Sequence, residues 1–151
     1  MDRDNHAGNL STIGWIAGFF DGEGYIGLYK RTDHRVNYKD TYRPNVVFAN
    51  TDEKTIVYLS EQLISFGVPN YIKTSKSKIH ENWRQYWTVN ITGFKRLKKF
   101  IDFIQDYTVT KKEQVVLIKE FLDRRSAVYK NVPYIPRDHE IYEQLKLLKR
   151  A

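Results

Sequence analysis

The chain of 151 residues contains no cysteine and a single methionine. Without thiols there are no disulfides, no thiolate metal sites and no cysteine nucleophile, so any metal must be held by oxygen or histidine ligands. The four histidines, His6, His34, His80 and His139, lie far apart and lack metal-site spacing such as HExxH. No apolar run approaches the ~18 residues of a membrane span, and the opening MDRDNHAG is no signal peptide. These absences predict a soluble intracellular protein, in the cytoplasm or an organelle matrix, with no membrane partner. A nucleotide-binding loop is also missing: GEGYIG at 22–27 has the glycines but starts a strand instead of opening a helix. No motif points to a small-molecule substrate.

What is present is a foldable, basic chain. Hydrophobic residues make up 41% of it with regular periodicity, which argues against disorder and for one domain over residues 1–151. Lys and Arg number 25 against 18 Asp and Glu, a net charge of +7 that favours a polyanionic partner.

The order of elements follows from alternation, periodicity and punctuation. Ser11 or Thr12 is expected to cap a first helix running to Phe20 or Asp21. Tyr25–Arg31 and about Tyr42–Asn50 alternate as strands of a hairpin, followed by a helix over 53–66 that Gly67 and Pro69 stop. The pattern then repeats as strand Tyr71–Ser75, strand Trp83–Ile91 and helix 94–106. VVFANTDEKTIVYL (46–59) and WTVNITGFKRLKKF (87–100) share one strand–cap–helix transition, which predicts two ββα units. Thr110 and Glu113 have capping-box spacing for a helix to about Ser126. A Pro-punctuated linker over Tyr129–Pro136 and a short helix capped by Asp138 complete the chain. The class is therefore α+β, with a core over about 11–126 and a helical extension over about 127–151.

The stretch Ile13–Gly24, IGWIAGFFDGEG, breaks local rules. At helical spacing Gly14, Ala17, Gly18 and Asp21 share one face, and glycine inside a helix costs about 1 kcal/mol against alanine. Close approach of a second backbone is the expected compensation. Asp21 and Glu23 stand at the helix C-terminus, which prefers cations by about 0.3–1 kcal/mol. Such violations mark a functional site.

Residues Ile16–Gly24, IAGFFDGEG, resemble the LAGLIDADG motif of homing endonucleases, with Glu23 in place of the final aspartate. The resemblance implies the αββαββα fold with a curved four-stranded antiparallel sheet whose open face lies in the DNA major groove. A single motif in a short chain resembles the homodimeric members, intron-encoded hydrolases that make double-strand breaks at long near-palindromic sites in double-stranded DNA. The partner's helix would then pack on Gly14, Ala17, Gly18 and Asp21. The alternative is a non-cleaving binder on the same fold, an RNA-splicing maturase or transcription regulator.

For a nuclease, the resemblance implies Mg2+ as cofactor, with Ca2+ or Mn2+ able to substitute in binding. It assigns the metal to Glu23 and the Gly22 carbonyl, and leaves Asp21 to organise the helix end. Asp52 resembles a polar residue contacting metal-bound water, although an acid there also suits a helix start. Lys111, or Lys112 if the alignment shifts by one, resembles the active-site lysine of a K-x-x-Q segment (KKEQ). On the face resembling the family's DNA surface lie Tyr25, Gly27, Tyr29 and Arg31, then Arg43, Asn45 and Thr51. Lys73 and Ser75 continue that face, with Lys76 and Lys78 in the turn for phosphates. Inward-facing Trp87, Val89 and Ile91 would place Arg84 and Tyr86 on the DNA side, with the parity around Arg84 and Gln85 open.

Overall fold

The computed structural model describes residues 2–33, 39–75, 84–127 and 133–150, and within these the side chains of 9–32, 40–75, 84–127 and 133–149. Helix α1 (Asp2–Glu23) runs directly into β1 (Gly24–Asp33), which pairs with β2 (Lys39–Asn50) and leads to α2 (Glu53–Ser65). Strands β3 (Tyr71–Thr74) and β4 (Trp87–Thr92) precede α3 (Phe94–Ile104), α4 (Lys112–Ser126) and α5 (Pro136–Arg150). The sheet is antiparallel in the order β1-β2-β4-β3, so the second strands of the two hairpins meet at its centre. The expected fold class and the two ββα units are thus present.

Strand alternation sorts the sheet into two faces. One carries Ile26, Leu28, Tyr42, Val46, Phe48, Val89 and Ile91, all buried under the helices. Each helix adds a stripe at helical spacing: Ile16, Ala17 and Phe20 from α1; Ile56, Leu59 and Leu63 from α2; Leu97, Phe100, Ile101 and Ile104 from α3. Val115, Ile118, Phe121 and Leu122 follow from α4, and Ile141 and Leu145 from α5. Phe20, Phe48 and Phe100 form the centre, with Phe100 edge-on to both others. Truncating a buried phenylalanine of this kind costs about 3–5 kcal/mol. Pro44 sits in β2 just before the ladder to β4 begins at Asn45, where a missing N–H is tolerated.

Several boundaries differ from the sequence reading. Helix α1 begins at Asp2, well before Ser11 and Thr12, because nothing between them stops a helix: there is no proline, and one glycine costs only about 1 kcal/mol. Strand β4 begins at Trp87, not Trp83, leaving Arg84 and Gln85 outside it. Lys111 takes the N-cap position of α4, while the Thr110 hydroxyl turns away to the Asp21 carbonyl. Pro136 opens α5 instead of closing a linker, as the first helical turn permits. Asp138 reaches back to the Ile135 N–H at 2.9 Å from inside the helix. Gly67 does end α2: its φ of 82° allows the Val68 N–H to reach the Leu63 carbonyl and its own N–H to reach Ile64, a Schellman cap.

Helix α5 is fastened twice. Arg124 of α4 pairs with fully buried Asp138, and Arg137 grips Glu120 at 2.6 and 3.0 Å. Buried Tyr42 packs against Tyr134 and Tyr142 and hydrogen-bonds His139. Burial, with smaller contributions from nearby acids and Tyr142, pushes the Tyr42 phenol up to about 12.

Candidate active site and nucleic-acid interface

The chain passes from helix to strand with no loop between Glu23 and Gly24. That turn needs glycine at 24: a Cβ there would stand 2.6 Å from Phe20 Cδ1 and 2.7 Å from the Phe20 carbonyl oxygen. The two acids of the helix end consequently take different environments. Asp21 turns inward, accepting hydrogen bonds from the Thr108 hydroxyl and, at 2.8 Å, from the Val109 N–H. Burial works to raise its carboxyl, but these bonds outweigh it and hold the group below the usual carboxylate range. Glu23 stays exposed, and its Oε2 accepts from Asn50 Nδ2 at 3.1 Å.

Two segments distant in sequence converge on this helix end. Lys111 is half-buried, donates from Nζ to the Asp21 carbonyl at 2.8 Å and lies over the Phe20 ring at 5.8 Å. It satisfies a terminal carbonyl and puts a cation where the helix dipole favours one. From the other side, Asn50 links Glu23 to the start of α2, since its Oδ1 accepts the Asp52 N–H at 2.7 Å. Asp52 occupies the N-cap position of α2, yet its carboxylate caps no backbone N–H and instead accepts the Thr55 hydroxyl. Glu23, Ala49, Asn50, Thr51 and Tyr86 line an open cleft. Asn50 was read from sequence only as a cap-type residue; its position one residue past Ala49, at the strand end opposite the motif, is the signal for its role.

Lys112, the alternative lysine, is exposed on the first turn of α4.

The sheet's second face carries most of the expected polar residues. Tyr29, Arg31, Arg43 and Lys73 are exposed there, with Thr51 beyond the end of β2. Thr41, Thr88, Asn90, Thr92 and Tyr71 share this face by register and were not singled out; the inward alternation of Trp87, Val89 and Ile91 implied the β4 members. Ser75 lies past the end of β3, its Oγ accepting the Tyr86 N–H at 3.0 Å. Arg84, Gln85 and Tyr86 are exposed ahead of β4. Lys76 and Lys78 lie outside the described residues.

Three expectations need correction. Gly27 is buried, because the Tyr25 phenol folds across it, so it makes room instead of presenting a contact. Ala17 is 3% exposed and belongs to the core, since α1 turns that edge of its small-residue face toward the sheet. Asp21 is occupied by the 108–111 segment and is not an open interface group. The exposed line of α1 is instead Gly14, Gly18 and Gly22, where an added Cβ would meet nothing within 4 Å.

The described residues contain no group of three or more His, Cys, Asp or Glu side chains able to enclose a metal. Among them, no helix is long and apolar enough to cross a membrane.

The family model of the LAGLIDADG-like domain matches residues 12–105. No curated protein matches the sequence. Among solved structures, the chain is similar to the homing endonuclease I-CvuI, in complex with the I-CreI target in the presence of Mg, its DNA not cleaved: TM-score 0.68, 15% identity, 93% of this chain and 83% of that one. It is similar to the archaeal intron-encoded homing endonuclease I-Vdi141I complexed with DNA: TM-score 0.61, 14% identity, 93% and 98% of the two chains. The LAGLIDADG homing endonuclease I-SmaMI bound to cleaved DNA gives TM-score 0.65 at 21% identity over 89% of this chain, which spans 42% of that one.

Proposed function

The chain belongs to the LAGLIDADG-like domain family, and from that membership we propose that it is a site-specific DNA endonuclease. It acts as a homodimer on a long, near-palindromic duplex site and makes a double-strand break. The observation that carries this reading is the exposed Glu23 carboxylate at the end of a helix whose outer line is bare at Gly14, Gly18 and Gly22. Nothing in the chain's own packing requires glycine at these three positions, whereas a second helix crossing there does. A two-fold contact would bring both copies of Glu23 together at its axis.

The donor set suits a hard divalent cation such as Mg2+, which binds through one or two carboxylates and fills its shell with water and phosphate oxygens. Glu23 and the carbonyl of Gly22 would hold it, and when bound it would supply positive charge at the phosphate and an acidified water. Asn50 holds one oxygen of Glu23, which orients the carboxylate and leaves the other toward the cleft. Lys111, anchored on the Asp21 carbonyl, offers its remaining N–H donors to charge developing on the phosphate. Asp52, fixed through its N–H by the same Asn50, is placed to orient a water. Tyr29, Arg31, Arg43, Asn45 and Lys73 supply groove and backbone contacts, and the +7 charge supports attraction to DNA. The proposed compartment is one that holds DNA, the cytoplasm or an organelle matrix.

Cleavage of a randomised duplex library in Mg2+, with the products sequenced, tests the reading. Glu23→Gln is expected to lose at least ~100-fold in cleavage while retarding DNA in a gel as the wild type does. Wild-type cleavage by Glu23→Gln defeats the assignment of the metal. Binding without cleavage by the wild type makes the protein a non-cleaving binder, a maturase or regulator.

A further inference from the structure

We infer that Lys149 and Gly27 together position Tyr25 as a base-reading side chain, so that helix α5 takes part in sequence specificity. The inference rests on the DNA-binding reading above. Tyr25 lies on the open sheet face, opposite Val47, and is half-buried although no helix covers that face. Two neighbours account for its placement. The Lys149 ammonium stands 4.7 Å from the centroid of its ring, an arrangement favourable for a cation over an aromatic face. At the other end the phenol lies across Gly27, where any Cβ would collide with the Tyr25 hydroxyl and stand 2.9 Å from its Cζ.

A tyrosine on an open strand ordinarily samples several rotamers. Here the ring is held along the strand, and its hydroxyl is delivered two residues onward, about 7 Å from its own position. It therefore stands where a side chain at 27 would have stood. Across the ladder from Gly27 is Asn45, whose Oδ1 is shielded from water and has no hydrogen-bond partner among the described residues. An acceptor left so is costly unless a donor arrives. A fixed hydroxyl beside an amide forms a small polar unit suited to one base-pair edge. Burial, and to a lesser extent Tyr142, pushes the phenol up, so it remains a neutral group that both donates and accepts.

Lysine near a DNA-facing sheet ordinarily serves a phosphate, and the two roles separate experimentally. Binding-site selection from a randomised duplex library with full-length Lys149→Ala should show discrimination falling about threefold to tenfold at one base pair in each half-site, the others holding. Gly27→Ala, which evicts the hydroxyl, should relax the same base pair, and Lys149→Arg, which also stacks on rings, should preserve it. Uniform weakening across all sequences with a salt slope shallower by about one makes Lys149 a phosphate contact and overturns the inference. Without DNA, the Tyr25 ring resonances should move in Lys149→Ala and stay in Lys149→Arg; unmoved resonances in Lys149→Ala also overturn it. A wild type that binds no duplex overturns the DNA reading, while those resonances still decide whether Lys149 holds the ring.

Discussion

The Nζ of Lys111 donates to the backbone carbonyl of Asp21 at 2.8 Å, tying the start of α4 to the end of α1 across 90 positions of sequence. This bond places a cation at the negative end of a helix that carries two acids. It also sets that cation beside the turn into Glu23, so one contact serves both the helix end and the proposed site.

Lys111→Met should lower the cleavage rate about 100-fold or more, the scale of one lost charge-stabilising donor. It should also cost about 0.3–1 kcal/mol of stability as the dipole loses its cation. Lys112→Met, at an exposed position of the first turn, should do neither. Plasmid cleavage and thermal melting of both variants check this, and equal loss in the two removes Lys111 from its role.

Asp21 makes folding sensitive to acid. Its folded-state value is depressed by the bonds from Thr108 and Val109 despite opposing burial. The resulting stability is fully present above the ordinary value of 3.8 and is lost as pH falls through the lowered folded-state value. Asp21→Asn should be less stable than the wild type at neutral pH by about 1–2 kcal/mol, reflecting weaker hydrogen bonds to a neutral acceptor. Its melting temperature should fall less steeply than the wild type's on acidification below that value. Parallel pH profiles for the two proteins would rule the contribution out.

The glycines of α1 should respond in opposite ways. Gly18→Ala meets nothing in the chain itself and should stabilise the isolated protomer by about 1 kcal/mol through helix propensity, while weakening the proposed dimer. Gly24→Ala drives a methyl into Phe20 and should cost about 1–3 kcal/mol. Light scattering and denaturant titration separate these effects; an unchanged dimer with Gly18→Leu would dismiss α1 as the contact.

At the far side of the fold, Arg124→Ala strands the fully buried Asp138 and should cost about 3 kcal/mol. Arg137→Ala breaks only solvent-facing pairs with Glu120 and Glu140 and should shift the melting midpoint far less. Comparable shifts would mean that Asp138 is held by the Ile135 N–H alone.

Much of this was legible in the residues because it depends on local chemistry. Alternation in the strands sets which side chains share a face, so Tyr29, Arg31, Arg43 and Lys73 could be placed before their neighbours were known. Gly67 needed a left-handed backbone, and the hydrophobic stripe of each helix follows from its 3.6-residue period. The misplaced helix starts at Asp2, Lys112 and Pro136 have one origin: cap-type residues are permissive, and Ser11, Thr12, Thr110 and Asp138 found other positions or partners.

The sequence by itself determined the α+β order, the two hairpin–helix units, the exposed strand face and the motif at the end of α1. Tertiary structure alone decided how the two acids divide. Asp21 is claimed by Thr108 and Val109 while Glu23 stays open, a split that depends on segments some 90 residues away. It also assigned Ala17 to the core and Gly27 to the space beneath Tyr25. Hydrogen bonds and ring contacts between distant segments leave no periodicity in a sequence, because their partners are selected by packing and not by spacing.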